Sequence, residues 1–267
     1  MVMGDTMHSL AFIQDGWGTD HSAPFDWAGN AGLVGAALAA GLFLLLLLRG
    51  LAQADRYRAT SVLGDTERAE LAAKIAEAEE STVGEIVVVV LERSDRHPAA
   101  EWMAAGLTLL CGSVLLASWL PWELPAVFFL CQLGLGSIGF LAARMVPGFK
   151  RVFVSEGRAD EMAREQALQE FYAHGLHRTQ ASTGVLLFVS LLERRVIVLG
   201  DEGIDAKLAA SDWEATDNAI LGGIRAGSLM RGLDDGIRRS AELLAEHFPS
   251  DETDRDEVPN HVIVRKE

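Results

Sequence analysis

Three apolar runs, each about 20 residues and long enough to cross a bilayer core, set the first limit on what this chain can become. Residues 28–48 end in "GLFLLLLL" ahead of Arg49. The second run is Trp102–Leu120 and the third Ala126–Arg144, parted by "PWELP", a loop too short to hold a domain. Residues 1–27 carry Asp5, Asp15, Asp20 and Asp26 and no basic residue. A cleaved signal would begin with a basic region, so the first run is expected to be a retained transmembrane helix behind an extracytoplasmic leader. Trp102, Trp119 and Trp122 stand at the run ends, where indole favours the interface. Gly134, Gly136, Ser137 and Gly139 would let the third span approach the second closely, forming a transmembrane hairpin over residues 101–144.

Charge then orients the spans. All 23 basic residues lie outside residues 1–48 and 97–143. Arg49, Arg56 and Arg58 follow the first span, Arg93 and Arg96 precede the second, and Arg144, Lys150 and Arg151 follow the third. The positive-inside rule therefore predicts a multi-pass plasma-membrane protein with its charged part in the cytoplasm. The spans hold no ionisable residue away from their ends, which argues against a carrier or channel. The formal net charge of −15 disfavours broad electrostatic binding to nucleic acid or to anionic lipid headgroups, since such a surface repels phosphates. Cys111 and Cys131 differ in depth by roughly 6 Å in the expected hairpin, so no disulfide is expected.

The soluble part shows a repeat. "STVGEIVVVVLER" begins at Ser81 and "STGVLLFVSLLER" at Ser182, on either side of the hairpin. Helical spacing of Leu71, Ile75 and Ala78 predicts a helix over Thr66–Glu80, followed by a buried strand, Glu85–Leu91. A second helix, about Gly157–His174, precedes strand Val185–Leu191, a tight turn at Glu193-Arg194, and strand Val196–Leu199. Trp213, Ile220 and Ile224 mark one further helix, and Leu229, Leu233, Ile237, Leu244 and Phe248 another. Strand–helix–strand order makes the first two strands parallel, so one domain, residues 60–96 and 150–249, is cut by the membrane hairpin. The carboxyl end of the first strand should then face the membrane. From Ser250 to Glu267 the sequence reads as an acidic, disordered tail.

The stretches "AEAEESTVGEIVVVV" and "GVLLFVSLLERRVIVLGDEGI", the Trp-led helix and "HFPSDETDRDEVPN" together resemble the TPM-domain family. Its members include thylakoid-lumen, photosystem-repair and receptor-auxiliary proteins, and the hairpin resembles an insertion in a bacterial membrane branch. The resemblance implies an α/β, Rossmann-like sandwich with a mixed sheet. It also implies one of three roles: accessory service to membrane complexes, calcium binding, or weak acid phosphatase activity. Better-known members place the domain outside the cytoplasm, whereas the charge pattern here places it inside.

Candidate site residues are few. The end of the third strand, "GDEGI", returns to the side where the first two strands begin. Glu85, Asp201, Glu202 and Asp205 could there meet Thr82 and Thr183 at the end of the sheet away from the membrane. Such carboxylates suit a calcium-type cation. The plainer reading is a polar loop beside an exposed strand start, and a catalytic carboxylate is a further alternative. His174 and His177 lack a third metal ligand and read as cations complementing a helix end. Ser190 has no G-x-S-x-G setting, and there is no phosphate-binding loop. Trp213 reads as a core anchor. The chain is therefore expected to be a non-catalytic, membrane-anchored accessory domain that binds a protein partner near the lipid bilayer. A weak metal-assisted phosphatase is the alternative.

Overall fold

The computed structural model describes residues 31–119, 125–250, 258–259 and 262–266. The leader expected over residues 1–27 and the Trp122 loop lie outside them. Helix α1 (Ala31–Ala52) carries the first apolar run and continues beyond Arg49. A 3-10 turn at Ala54–Tyr57 and a single turn, α2 (Ala59–Val62), lead to α3 (Asp65–Glu79). Glu67 starts that helix by accepting the Gly64 N–H at 2.8 Å. Strand β1 (Glu85–Leu91) follows, then α4 (Pro98–Trp119), α5 (Pro125–Met145) and α6 (Pro147–Lys150). A 3-10 turn at Arg151–Phe153 precedes α7 (Glu156–Ala173), where the Ser155 hydroxyl accepts the Arg158 N–H. After the 3-10 turn Leu176–Arg178 come β2 (Gly184–Ser190), β3 (Arg195–Gly200), α8 (Glu202–Asp205), α9 (Ala210–Arg225), α10 (Leu229–His247) and β4 (Val262–Arg265).

The strands form one mixed sheet in the order β3-β2-β1-β4. β1 is parallel to β2, with Glu85 beside Gly184 and Leu91 beside Ser190, and β2 is antiparallel to β3. Alternation along the strands fills two layers. Ile86, Val88, Val90, Val185 and Leu187 pack with Leu71 and Ile75 of α3, Ile220 of α9, and Leu233, Ile237 and Leu244 of α10. Val87, Val89, Leu186 and Phe188 pack with Ala163, Ala167 and Phe171 of α7 on the other face. The result is an α/β sandwich with helices on both sides of the sheet, as the sequence predicts.

The tail is where the expectation fails. Strand β4 adds to β1 in parallel, with Val262 beside Val88 and Arg265 beside Leu91. The acidic stretch after Ser250 hides a short run, Val262–Val264, whose residues reach both core layers. Without it, the free edge of β1 would present unpaired backbone groups.

Three helices, Val34–Ala52, Pro98–Ala117 and Pro125–Met145, are long and apolar enough to cross a membrane, and they make this a membrane protein by length and composition. α4 packs along α5, and α1 packs on α4. At Gly139 the Ala104 carbonyl comes within 2.7 Å of where a Cβ would stand, so glycine is required there, whereas Gly134 faces open space. Trp102 is exposed and lies against Phe140. Cys111 and Cys131 are both free thiols.

Candidate functional site

At the end of the sheet away from the hairpin, the repeated threonines fasten backbone. Thr82 Oγ1 donates to the Phe248 carbonyl at 2.7 Å and accepts the Gly84 N–H, and Thr183 Oγ1 donates to the Val83 carbonyl at 2.9 Å. Glu85 opens β1 beside Gly184 and is buried, in contrast to the exposed strand start considered from the sequence. Asp201 donates its N–H to the Gly184 carbonyl at 2.9 Å. Glu85 and Asp201 thus flank Gly184 on neighbouring strand ends. The Leu176 carbonyl lies so close to the Gly184 Cα that any side chain there would collide with it. Asp201 Oδ2 is buried without a hydrogen-bond partner, while Glu202 and Asp205 are exposed on α8. Among the described residues, no three His, Cys, Asp or Glu side chains form a group placed to hold a metal.

The two histidines have separate partners. His174 Nε2 lies 3.2 Å from the buried Glu170 carboxylate, which also meets Arg265 of β4. His177 lies against Tyr172 with its ring tilted at 59° and accepts from Arg178 Nε.

The denser polar cluster sits at the opposite, hairpin-facing end, beyond the carboxyl ends of β1 and β2. Glu193 is fully buried and His97 is 4 % exposed. Glu193 Oε1 lies 2.6 Å from His97 Nε2, and its Oε2 accepts the Ser94 N–H at 3.1 Å and the Ser190 hydroxyl. Ser94 Oγ donates to Ser190 Oγ at 2.9 Å. Burial pushes the Glu193 carboxyl up, but the hydrogen bonds from His97, Ser190 and the Ser94 amide outweigh it and hold the group below the ordinary glutamate value. Asp95 Oδ2 faces the other ring nitrogen of His97 at 3.5 Å and meets Arg158 at 3.4 Å. One step further along, Lys150 Nζ donates to Glu101 at 2.7 Å and to the Arg96 carbonyl at 2.8 Å. Ser190 donates to Glu193 rather than to His97, so serine and histidine share a carboxylate instead of forming a nucleophile–base pair.

This cluster gives the second half of the repeat its meaning. Glu92 and Glu193 are the glutamates of the two "LER" ends. Glu92 accepts the Ala59 N–H at 3.2 Å, fastening the segment that follows α1. Glu193 fastens the segment that enters α4. The signal was present in the sequence as the matching "LER" ends. A glutamate in a tight turn ordinarily reads as solvated, however, and nothing in the sequence ties Ser190 to the carboxylate three residues on.

The family model for the TPM domain matches residues 149–243. Over that stretch the chain is similar to a TPM domain. The matched span, from α6 into α10, holds β2 and β3. The sheet to which β2 and β3 belong is completed by β1 from before the hairpin and by β4 from beyond the match. A solved NMR structure, that of the BA42 protein from the psychrophilic bacterium Bizionia argentinensis, is similar at 20 % identity, over 76 % of this chain and 94 % of that one, with a TM-score of 0.48. No curated protein matches the sequence.

Proposed function

We propose that the protein is a membrane-anchored accessory module. Its TPM domain lies on the cytoplasmic side and docks a partner protein at a fixed height and orientation above the bilayer. The observation that carries this reading is the buried Glu193–His97 contact, which joins the turn after β2 to the residue preceding α4. A flexibly tethered domain would have no use for a buried carboxylate–imidazole contact at its hinge, because buried polar contacts add little net stability but fix geometry. The Lys150–Glu101 pair acts in the same sense, between α6 and the first turn of α4.

The test is purification of tagged full-length protein in mild detergent. A protein should co-elute with the wild type and be lost from His97→Ala, while circular dichroism still reports the mixed α/β content. Hydrolysis of phosphomonoesters that disappears in Asp201→Asn, with no co-eluting protein, would replace this reading with the phosphatase. The cation expected at Glu85, Asp201 and Glu202 has its own measurement. Binding would raise the melting temperature in millimolar calcium by mass action, and Asp201→Asn would abolish the rise. An unmoved melting temperature leaves these carboxylates as packing and solvated groups.

A further inference from the structure

A cavity of about 370 Å³ opens at the junction between α1 and the TPM domain. That is within the range of small-ligand sites, roughly 300–1,000 Å³. Its charged lining is Arg49, Arg151, Arg194 and Glu156, with Leu46 and Tyr57 completing the part that matters here. Three guanidiniums against one carboxylate leave a local surplus of two positive charges on a chain whose net charge is −15.

Two of the three arginines are held in place. Glu156 bonds Arg151 at 2.5 Å and Arg195 at 2.7 Å, so its charge is already occupied. Arg151 also donates to the Val154 carbonyl at 2.9 Å, and its Nε is buried with no partner. Arg194 has φ 56°, the left-handed region that a non-glycine residue adopts only under constraint. That conformation brings its guanidinium to the Tyr57 hydroxyl at 2.5 Å and over the Tyr57 ring at 5.7 Å. Arg49, in the last turn of α1, makes no ion pair among the described residues. The wall behind them is rigid: a Cβ at Gly50 would stand 2.7 Å from the Phe149 nitrogen, so α1 and α6 touch backbone to backbone.

We infer that this cavity binds the headgroup of a phospholipid of net negative charge, with the phosphate against the arginines. Arginine forks match phosphate oxygens in pairs. Leu46 lies within the membrane-spanning helix and Arg49 one turn further along, so the cavity sits at headgroup depth, with an apolar wall on the acyl side. Basic pockets at the ends of spanning helices are suited to such headgroups. The inference concerns a lipid, and stands whether or not a protein partner docks on the TPM domain.

Full-length protein in a neutral detergent tests it by thermal melting, with added short-chain phosphatidylglycerol, with phosphatidylcholine, and with inorganic phosphate. Phosphatidylglycerol should raise the melting temperature saturably, and phosphatidylcholine should not. Arg49→Gln, which breaks no internal contact, should weaken the apparent affinity about five-fold, and Arg238→Gln on the exposed face of α10 should leave it unchanged. Inorganic phosphate giving the same rise at the same concentration would overturn the lipid and assign the cavity to soluble phosphate. Equal responses to both phospholipids, or an Arg49→Gln protein that responds like the wild type, would overturn the site itself.

Discussion

A carboxyl held below its ordinary value adds stability above that value, near pH 4.3 for glutamate, and loses it as the pH falls through the folded-state value. Glu193 is such a group. Asp217 on α9 is the reverse: burial first, then the charge of Glu214, raise it to about 6. The folded state therefore holds that proton more tightly than the unfolded one. Its contribution is present below the ordinary aspartate value and is lost as the pH rises through about 6. Glu193→Gln should cost about 2–3 kcal/mol at neutral pH, since it leaves the His97 ring and the Ser94 amide poorly satisfied, and less below pH 4. Asp217→Asn should stabilise by about 1 kcal/mol at pH 7.5, a figure reduced because the carboxyl is partly solvated, and do nothing at pH 4. Melting curves at the two pH values check both, and shifts independent of pH would contradict the assignments. The distal carboxylates were legible because "GDEGI" announces a polar turn. Glu193 was not, because its burial is created by the hairpin segment folding over it.

Among the elements, α3, β1, α7, β2 and β3 were legible to within a residue or so, because their apolar spacing and flanking Gly or Ser agree with the packing they find. β1 reads as buried on both faces from its uninterrupted valines, and it is. β4 was not legible: four residues behind a run of acids carry too little local signal, and only the open edge of β1 makes them a strand. The extension of α1 past Arg49 was likewise hidden, since it depends on Gly50 meeting α6. Deleting residues 251–267 should lower stability by several kcal/mol, at about 1 kcal/mol for each apolar side chain withdrawn from the two core layers. A denaturant midpoint equal to that of the full chain would show that β4 adds nothing to the sheet.

For the whole molecule, the orientation is a prediction from the charge asymmetry. A fluorescent reporter fused after Glu267 should be active in the cytoplasm, and a periplasm-dependent phosphatase there should be silent. The α/β domain and the apolar helices are expected to move as one rigid body, clasped by Glu193 with His97, Lys150 with Glu101, and Glu92 with the Ala59 amide. Pulsed electron paramagnetic resonance in lipid nanodiscs tests it directly. Cys111 and Cys131 would be replaced by Ser, and spin labels placed at exposed positions 110 on α4 and 238 on α10. A single narrow distance distribution is expected, broadening when Glu193→Ala and Glu101→Ala are combined. A broad distribution in the unbroken protein, or one unchanged by the double substitution, would contradict the account.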